Sequence, residues 1–212
     1  MKFVRDPGLV LYLPMSEMDG SHLMSKDACG HSCAVTGAIW TPRGRSFDGI
    51  DDFLTVARTA ALDCAGGGIT MEVWTCPENI EAVDRLIDKE GGGTNGYLLG
   101  FEAANKVLVR MNSDAVNPLI TEKAVPCGIW AHIAATWDGA TIRAYLNGSA
   151  DASTTAKAGT INADTADLVL GRWVGGSLGF FDGVMGEVRV YNRALTPLEV
   201  QHNYEVTKWR YR

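Results

Sequence analysis

A chain of 212 residues carries 25 acidic against 19 basic side chains, a net charge of −6, which excludes a nucleic-acid surface built on clustered Lys and Arg. No apolar run approaches the ~18 residues of a membrane-spanning helix. A chain this long buries roughly 70% of its unfolded surface, so its core needs no disulfide or metal staple.

The opening MKFVRDPG does not read as a secretory leader, because Asp6-Pro7 interrupts it before an apolar core forms. Gly8 to Leu13 (GLVLYL) reads as a buried strand that stops at Pro14, where a backbone donor is lost. Met15 to Gly37 reads as irregular. The five cysteines (Cys29, Cys33, Cys64, Cys76, Cys127) are an odd number, so at least one lacks an intramolecular partner. Cys29 and Cys33 admit three readings: reduced thiols, a local disulfide, or half a zinc site with no second cluster to complete it.

Ser46 to Val56 holds two short strands around Asp48-Gly49. Ile69 to Cys76 alternates, with Ile69, Met71, Val73 and Thr75 on one face, and Pro77 closes it. Leu86 to Lys89 and Tyr97 to Phe101 flank a glycine-rich loop, Gly91 to Gly96; Lys106 to Met111 and Leu119 to Glu122 follow. The strongest local signal is Ile129 to Gly148. Two alternating runs there end in Asp138-Gly139 and Asn147-Gly148, dipeptides that tolerate the positive φ of hairpin turns.

Ala152 to Ala156 and Asp167 to Leu170 read as short strands. Val184 to Tyr191 reads as a long one, Val184, Gly186, Val188 and Val190 alternating against Met185, Glu187, Arg189 and Tyr191. Thr196-Pro197-Leu198-Glu199 is a helix start, with Thr as cap, Pro at the first helical position and Glu completing a capping box. The tail Lys208 to Arg212 is expected to pack along an edge or meet another subunit. Nothing in the composition marks a linker, so residues 1–212 read as one domain.

The segments GLVLYLP, GRSFDGIDDFLTV, ITMEVWTCP, IWAHIAATWDGATIRAYLNG and FFDGVMGEVRVYNRALTPLEVQ together resemble the laminin-G-like members of the concanavalin A-like lectin/glucanase superfamily. The resemblance implies an all-β fold: a two-sheet antiparallel jelly-roll β-sandwich with one short C-terminal helix. The strand pattern agrees.

One fold hosts unrelated activities. The superfamily's glycosidases hold two carboxylates on one concave face, about 5–5.5 Å apart in retaining enzymes, and no strand here shows an E-x-D-x-E-like alternation. The chain is therefore expected not to be an enzyme. It reads as a non-catalytic carbohydrate-binding or adhesion domain; the alternative is a structural protein, such as a virion decoration or cell-surface assembly domain. Its expected partner is a glycan or another protein surface, with no nucleic acid and no membrane, and a homo-oligomer is compatible. The expected setting is extracellular, cell-surface or virion.

The resemblance also implies one structural Ca²⁺, an ion that takes hard oxygen ligands. The matching positions are Glu17 and Asp27 after the first strand and Glu187 in the last. Gly186 and His31 depart from the pattern, standing where an Asp and an Asn often supply oxygens. Among the aromatics, Trp74, Trp130 and Trp137 read as core. Trp173, with Phe180 nearby in GRWVGGSLGFF, and Tyr97 beside the other glycine-rich loop are the rings placed to stack on a sugar.

Overall fold

The computed structural model describes residues 6–18, 20–92 and 94–212. The reading of the first five residues as no leader, and Gly93 of the glycine-rich loop, lie outside the described residues.

The chain runs through β1 (Leu9–Pro14), β2 (His22–Met24), β3 (Ser32–Thr36), β4 (Ile39–Thr41), β5 (Gly44–Asp48) and β6 (Phe53–Val56). There follow β7 (Ile69–Asn79), β8 (Arg85–Asp88), β9 (Tyr97–Glu102), β10 (Lys106–Met111) and β11 (Leu119–Ala124). β12 (Ala131–Trp137), β13 (Thr141–Leu146), β14 (Ser149–Ala156), β15 (Leu168–Leu170) and β16 (Asp182–Tyr191) precede the helix α1 (Pro197–Thr207) and a 3₁₀ turn, Lys208–Tyr211.

Among the described residues these strands form two eight-stranded antiparallel sheets. The first runs β14-β13-β12-β7-β16-β5-β4, with β1 also paired to β16; the second runs β11-β10-β9-β8-β15-β6-β3-β2. Inward side chains such as Val73, Ile133 and Val188 from one sheet meet Leu54, Leu99 and Val109 from the other in a single apolar cluster. This is the expected sandwich.

Local chemistry explains the central hairpin. Asp138 Oδ1 accepts the N–H groups of Ala140 and Thr141 at 3.0 and 2.8 Å. Asn147 and Gly148 take φ of 52° and 73°, the left-handed pair that a tight hairpin turn demands. The capping box forms as well: Thr196 Oγ1 accepts the Glu199 N–H, and Glu199 Oε2 accepts the Thr196 N–H at 2.7 Å.

Three expectations need correction. The segment read as irregular, Met15 to Gly37, contains β2 and β3; Cys33 of β3 pairs opposite Val56 and points into the core. The two short strands around Asp48-Gly49 form as expected; they belong to opposite sheets, and the chain turns the corner with Asp52 Oδ2 accepting the Asp48 N–H at 3.0 Å. β7 does not close at Pro77 but runs on to Asn79, because Pro77 sits at a register shift against β16 and needs no donor there. The alternation of β16 also breaks. Met185 lies opposite Thr75 and Val188 opposite Val73, so Gly186 and Glu187 together face Trp74. This bulge brings Met185, Val188 and Val190 to the same core.

The helix lies on the outer face of the first sheet, where Val200 and Leu195 pack with Ala134, Tyr145 and Tyr191. The basic tail follows it across that face rather than along an edge. Trp137 fills the main core as expected, but Trp74 lies on the opposite face beneath the tail, and Trp130 is only half-buried at its side. All five cysteines are free thiols.

Candidate functional site

The outer face of the second sheet carries an ionic cluster across β8, β9 and β10. Strand register sets Asp88 opposite Leu98 and Leu98 opposite Arg110, and sets Arg85 opposite Gly100 in a neighbouring row. Gly100 has a reason to lack a side chain: a Cβ there would come within 2.5 Å of the Asp84 carbonyl oxygen and crowd Arg85. Arg85 Nε stands 3.8 Å from Asp88 Oδ2, and Arg110 Nη2 donates to Glu90 Oε2 at 2.6 Å. Asp88 and Glu90 are sealed beneath these arginines, 0% and 3% exposed. Burial pushes the Asp88 carboxyl up to about 7 and raises that of Glu90, against the pull of Arg110.

The loop after β15 arches beside this cluster. The Trp173 N–H donates to the Leu178 carbonyl at 3.0 Å, and the Arg85 N–H donates to the Gly179 carbonyl at 3.0 Å, which ties the loop to β8. Between loop and sheet lies a cavity of about 210 Å³ lined by Val83, Arg85, Arg110, Trp173, Leu178 and Gly179. Trp173 keeps 37% of its surface exposed here. A larger hollow of about 440 Å³ at the start of α1 is lined by charges already matched to one another: Arg193 pairs with both Asp6 and Glu199.

The sequence model of the concanavalin A-like lectin/glucanases superfamily matches residues 48–201. The chain belongs to this superfamily. Among solved structures, the binding domain of Paraclostridial Mosquitocidal Protein 1 superposes with a TM-score of 0.71 at 15% identity, covering 94% of this chain and 52% of that one. The binding domain of botulinum neurotoxin DC in complex with SialylT gives 0.71 at 11% identity, over 94% and 51%. Trypanosoma rangeli sialidase in complex with sialic acid gives 0.72 at 17% identity, over 98% and 34%. The chain thus spans about half of the toxin domains and a third of the sialidase, and at these identities the likeness is one of fold. No curated protein matches the chain.

Within the superfamily's jelly roll, the aromatic residues singled out from sequence separate. Trp173 lines the cavity; Phe180 is half-buried and does not. Tyr97 is fully enclosed, its hydroxyl donating to the Leu62 carbonyl at 2.8 Å. The expectation of Tyr97 as a stacking ring is corrected: as the first residue of β9 its side chain enters the core. Arg85 and Arg110 escaped sequence reading, since single charges on strands look like solvated faces. The one available hint was Arg110 in KVLVRM, where it alternates outward from Val109 and Met111.

The carboxylates nominated for Ca²⁺ do not converge. Glu17 pairs with Lys26 at 2.7 Å. Glu187 faces Arg189 at 2.7 Å and Arg210 at 3.2 Å, two cations that a calcium ion would have to displace. Against the upward push of burial, the Ser25 side chain and the backbone N–H groups of Tyr12, Cys29 and Gly30, all hydrogen-bonded to Asp27, hold its carboxyl below the usual range. As folded, this donor set does not fit the ion. Asp27 instead lies with Cys29 and His31, all within 4.8 Å, as the carboxylate that closes their loop. No helix is long and apolar enough to cross a membrane.

Proposed function

We propose that the chain is a non-catalytic carbohydrate-binding module whose ligand seats in the groove beside Trp173. The observation that carries this reading is a part-exposed indole flanked by the exposed aliphatics Val83 and Leu178, over a floor of guanidiniums. Carbohydrate sites need this combination: a flat ring for the apolar face of a sugar and fixed polar groups for its substituents. Membership of the lectin/glucanase superfamily supports it, as does the fold likeness to structures solved with SialylT and with sialic acid. The carboxylates nearest the groove, Asp88 and Glu90, do not line it and lie sealed behind arginines, which supports binding rather than hydrolysis.

Affinity electrophoresis through a panel of polysaccharides tests the proposal. Retardation by a glycan, abolished in Trp173→Ala, is the expected result. Failure of every glycan to retard the protein, together with a defined oligomer in sedimentation, would move the reading to a structural assembly domain.

A further inference from the structure

The side chains lining the Trp173 cavity bear donors alone. No carboxylate, amide or hydroxyl is among its six lining residues; their polar side-chain groups are two guanidiniums and an indole N–H. The counter-charges Asp88 and Glu90 stand behind, out of a ligand's reach. Arg85 is only 9% exposed, and the Nε groups of both arginines are buried without a hydrogen-bond partner among the described residues.

That one-sidedness has a chemical consequence. A neutral sugar offers hydroxyls that donate as well as accept, and here the donated hydrogens would meet no side-chain acceptor. A carboxylate only accepts, and its two oxygens match the planar fork of a guanidinium. The apolar wall of Trp173, Val83 and Leu178 takes the ring. A volume near 210 Å³ lies below the ~300 Å³ lower bound of drug-sized pockets, so one sugar unit fills it. Building on the glycan-binding reading above, we infer that the groove recognises a carboxylate-bearing sugar unit, its carboxylate held by Arg85 and Arg110 and its ring against Trp173. The chain's net charge of −6 makes this local recognition, since a polyanion is repelled by the molecule as a whole.

The test uses polyuronate and polysialate gels, each beside its carboxyl-reduced form, in which –COO⁻ becomes –CH₂OH and the rest of the glycan is unchanged. At least one acidic glycan should retard the protein, and reduction should weaken it tenfold or more. Arg110→Lys keeps the charge opposite Glu90 but loses the fork, and should weaken binding about fivefold with an unchanged melting temperature. Equal retardation by the reduced form, or retardation by neutral or sulfated glycans alone that Trp173→Ala abolishes, overturns the carboxylate assignment and leaves the binding module standing. Retardation by acidic glycans that survives both Trp173→Ala and Arg110→Lys overturns the groove. No retardation by any glycan overturns both readings.

Discussion

Tyr211 stacks on Trp74, ring centroids 4.5 Å apart and planes inclined by 22°, so the segment after the helix is clamped to the centre of the first sheet. The Trp74 indole N–H donates to Thr207 Oγ1 at 2.8 Å, and Tyr204 stacks on the same ring at 5.6 Å. One side chain of β7 therefore anchors both helix and tail. Trp74→Ala should cost about 3–5 kcal/mol, the range for a buried large aromatic, measured from the guanidinium midpoint.

Gly186 lies under that stack. A Cβ there would stand 2.3 Å from the Tyr211 ring. Gly186→Ala should therefore cost about 1–3 kcal/mol through overpacking. In a Tyr211→Ala background the added methyl loses its three nearest neighbours, all atoms of that side chain, and the cost should shrink by at least about 1 kcal/mol. A double-mutant cycle reads that coupling directly; additive effects would refute the contact as its cause.

Beneath α1, Glu72 Oε1 and His132 Nε2 lie 4.0 Å apart, both buried. Burial pushes the Glu72 carboxyl up to about 7, with Arg189 and Asn203 opposing, and drives the His132 imidazole down to about 3. The folded state holds the Glu72 proton more tightly than the unfolded state does, so that stability is present at low pH and lost as pH rises from about 4.5 through 7. For His132 the unfolded state is the better proton acceptor, and stability falls as pH drops from about 6.5 towards 3. Glu72→Gln should gain melting temperature over the native protein between pH 6 and 8. His132→Gln should gain it between pH 6 and 4. Parallel curves for variant and native protein would contradict either assignment.

Lys89 is fully enclosed, with its ammonium 3.0 Å from Asp63 Oδ1 and donating to the carbonyls of Asp164 and Ala166 at 3.0 Å. Lys89→Ala leaves Asp63 to Arg58 alone and two carbonyls without their donor, and should cost about 1–3 kcal/mol for each carbonyl. Thermal unfolding monitored by near-ultraviolet dichroism would show it.

Trp173→Ala and Tyr97→Phe should behave as opposites. Trp173 packs on a surface loop, and its removal should change stability by no more than about 1 kcal/mol while abolishing glycan retention. Tyr97→Phe loses the buried bond to the Leu62 carbonyl and should cost about 1–3 kcal/mol with retention intact. Calorimetry and affinity electrophoresis on the same samples separate the two.

What was legible in the residues was what the backbone decides locally. Asp138-Gly139, Asn147-Gly148 and the Thr196 capping box each satisfy their own chain within a few positions, and each formed as read. The β16 bulge was hidden because it exists only against a partner strand: Met185 and Val188 lie opposite Thr75 and Val73 of β7, a register that no local pattern announces. Pro77 looked like a terminator because the register shift that excuses its missing donor belongs to β16. The groove was half legible. Trp173 stood out in its glycine-rich loop, whereas Arg85 and Arg110 meet only through the pairing of β8, β9 and β10. Tyr97 misled because a flanking glycine run says nothing about which face of a strand its neighbour takes.

The pairing of β16 with β1, β5 and β7 also sets a clock on biosynthesis. A ribosome adding ~5–20 residues per second needs on the order of 5–20 s to travel from the end of β7 to β16. Throughout that interval the emerging chain holds β7, rich in apolar and β-branched residues, with one flank open to any other strand. The first sheet cannot close sooner, because the strand that joins β1, β5 and β7 is the last of its strands to be made. Slower elongation or added chaperone should therefore raise soluble yield in a host cell even where the stability of the finished sandwich is unchanged.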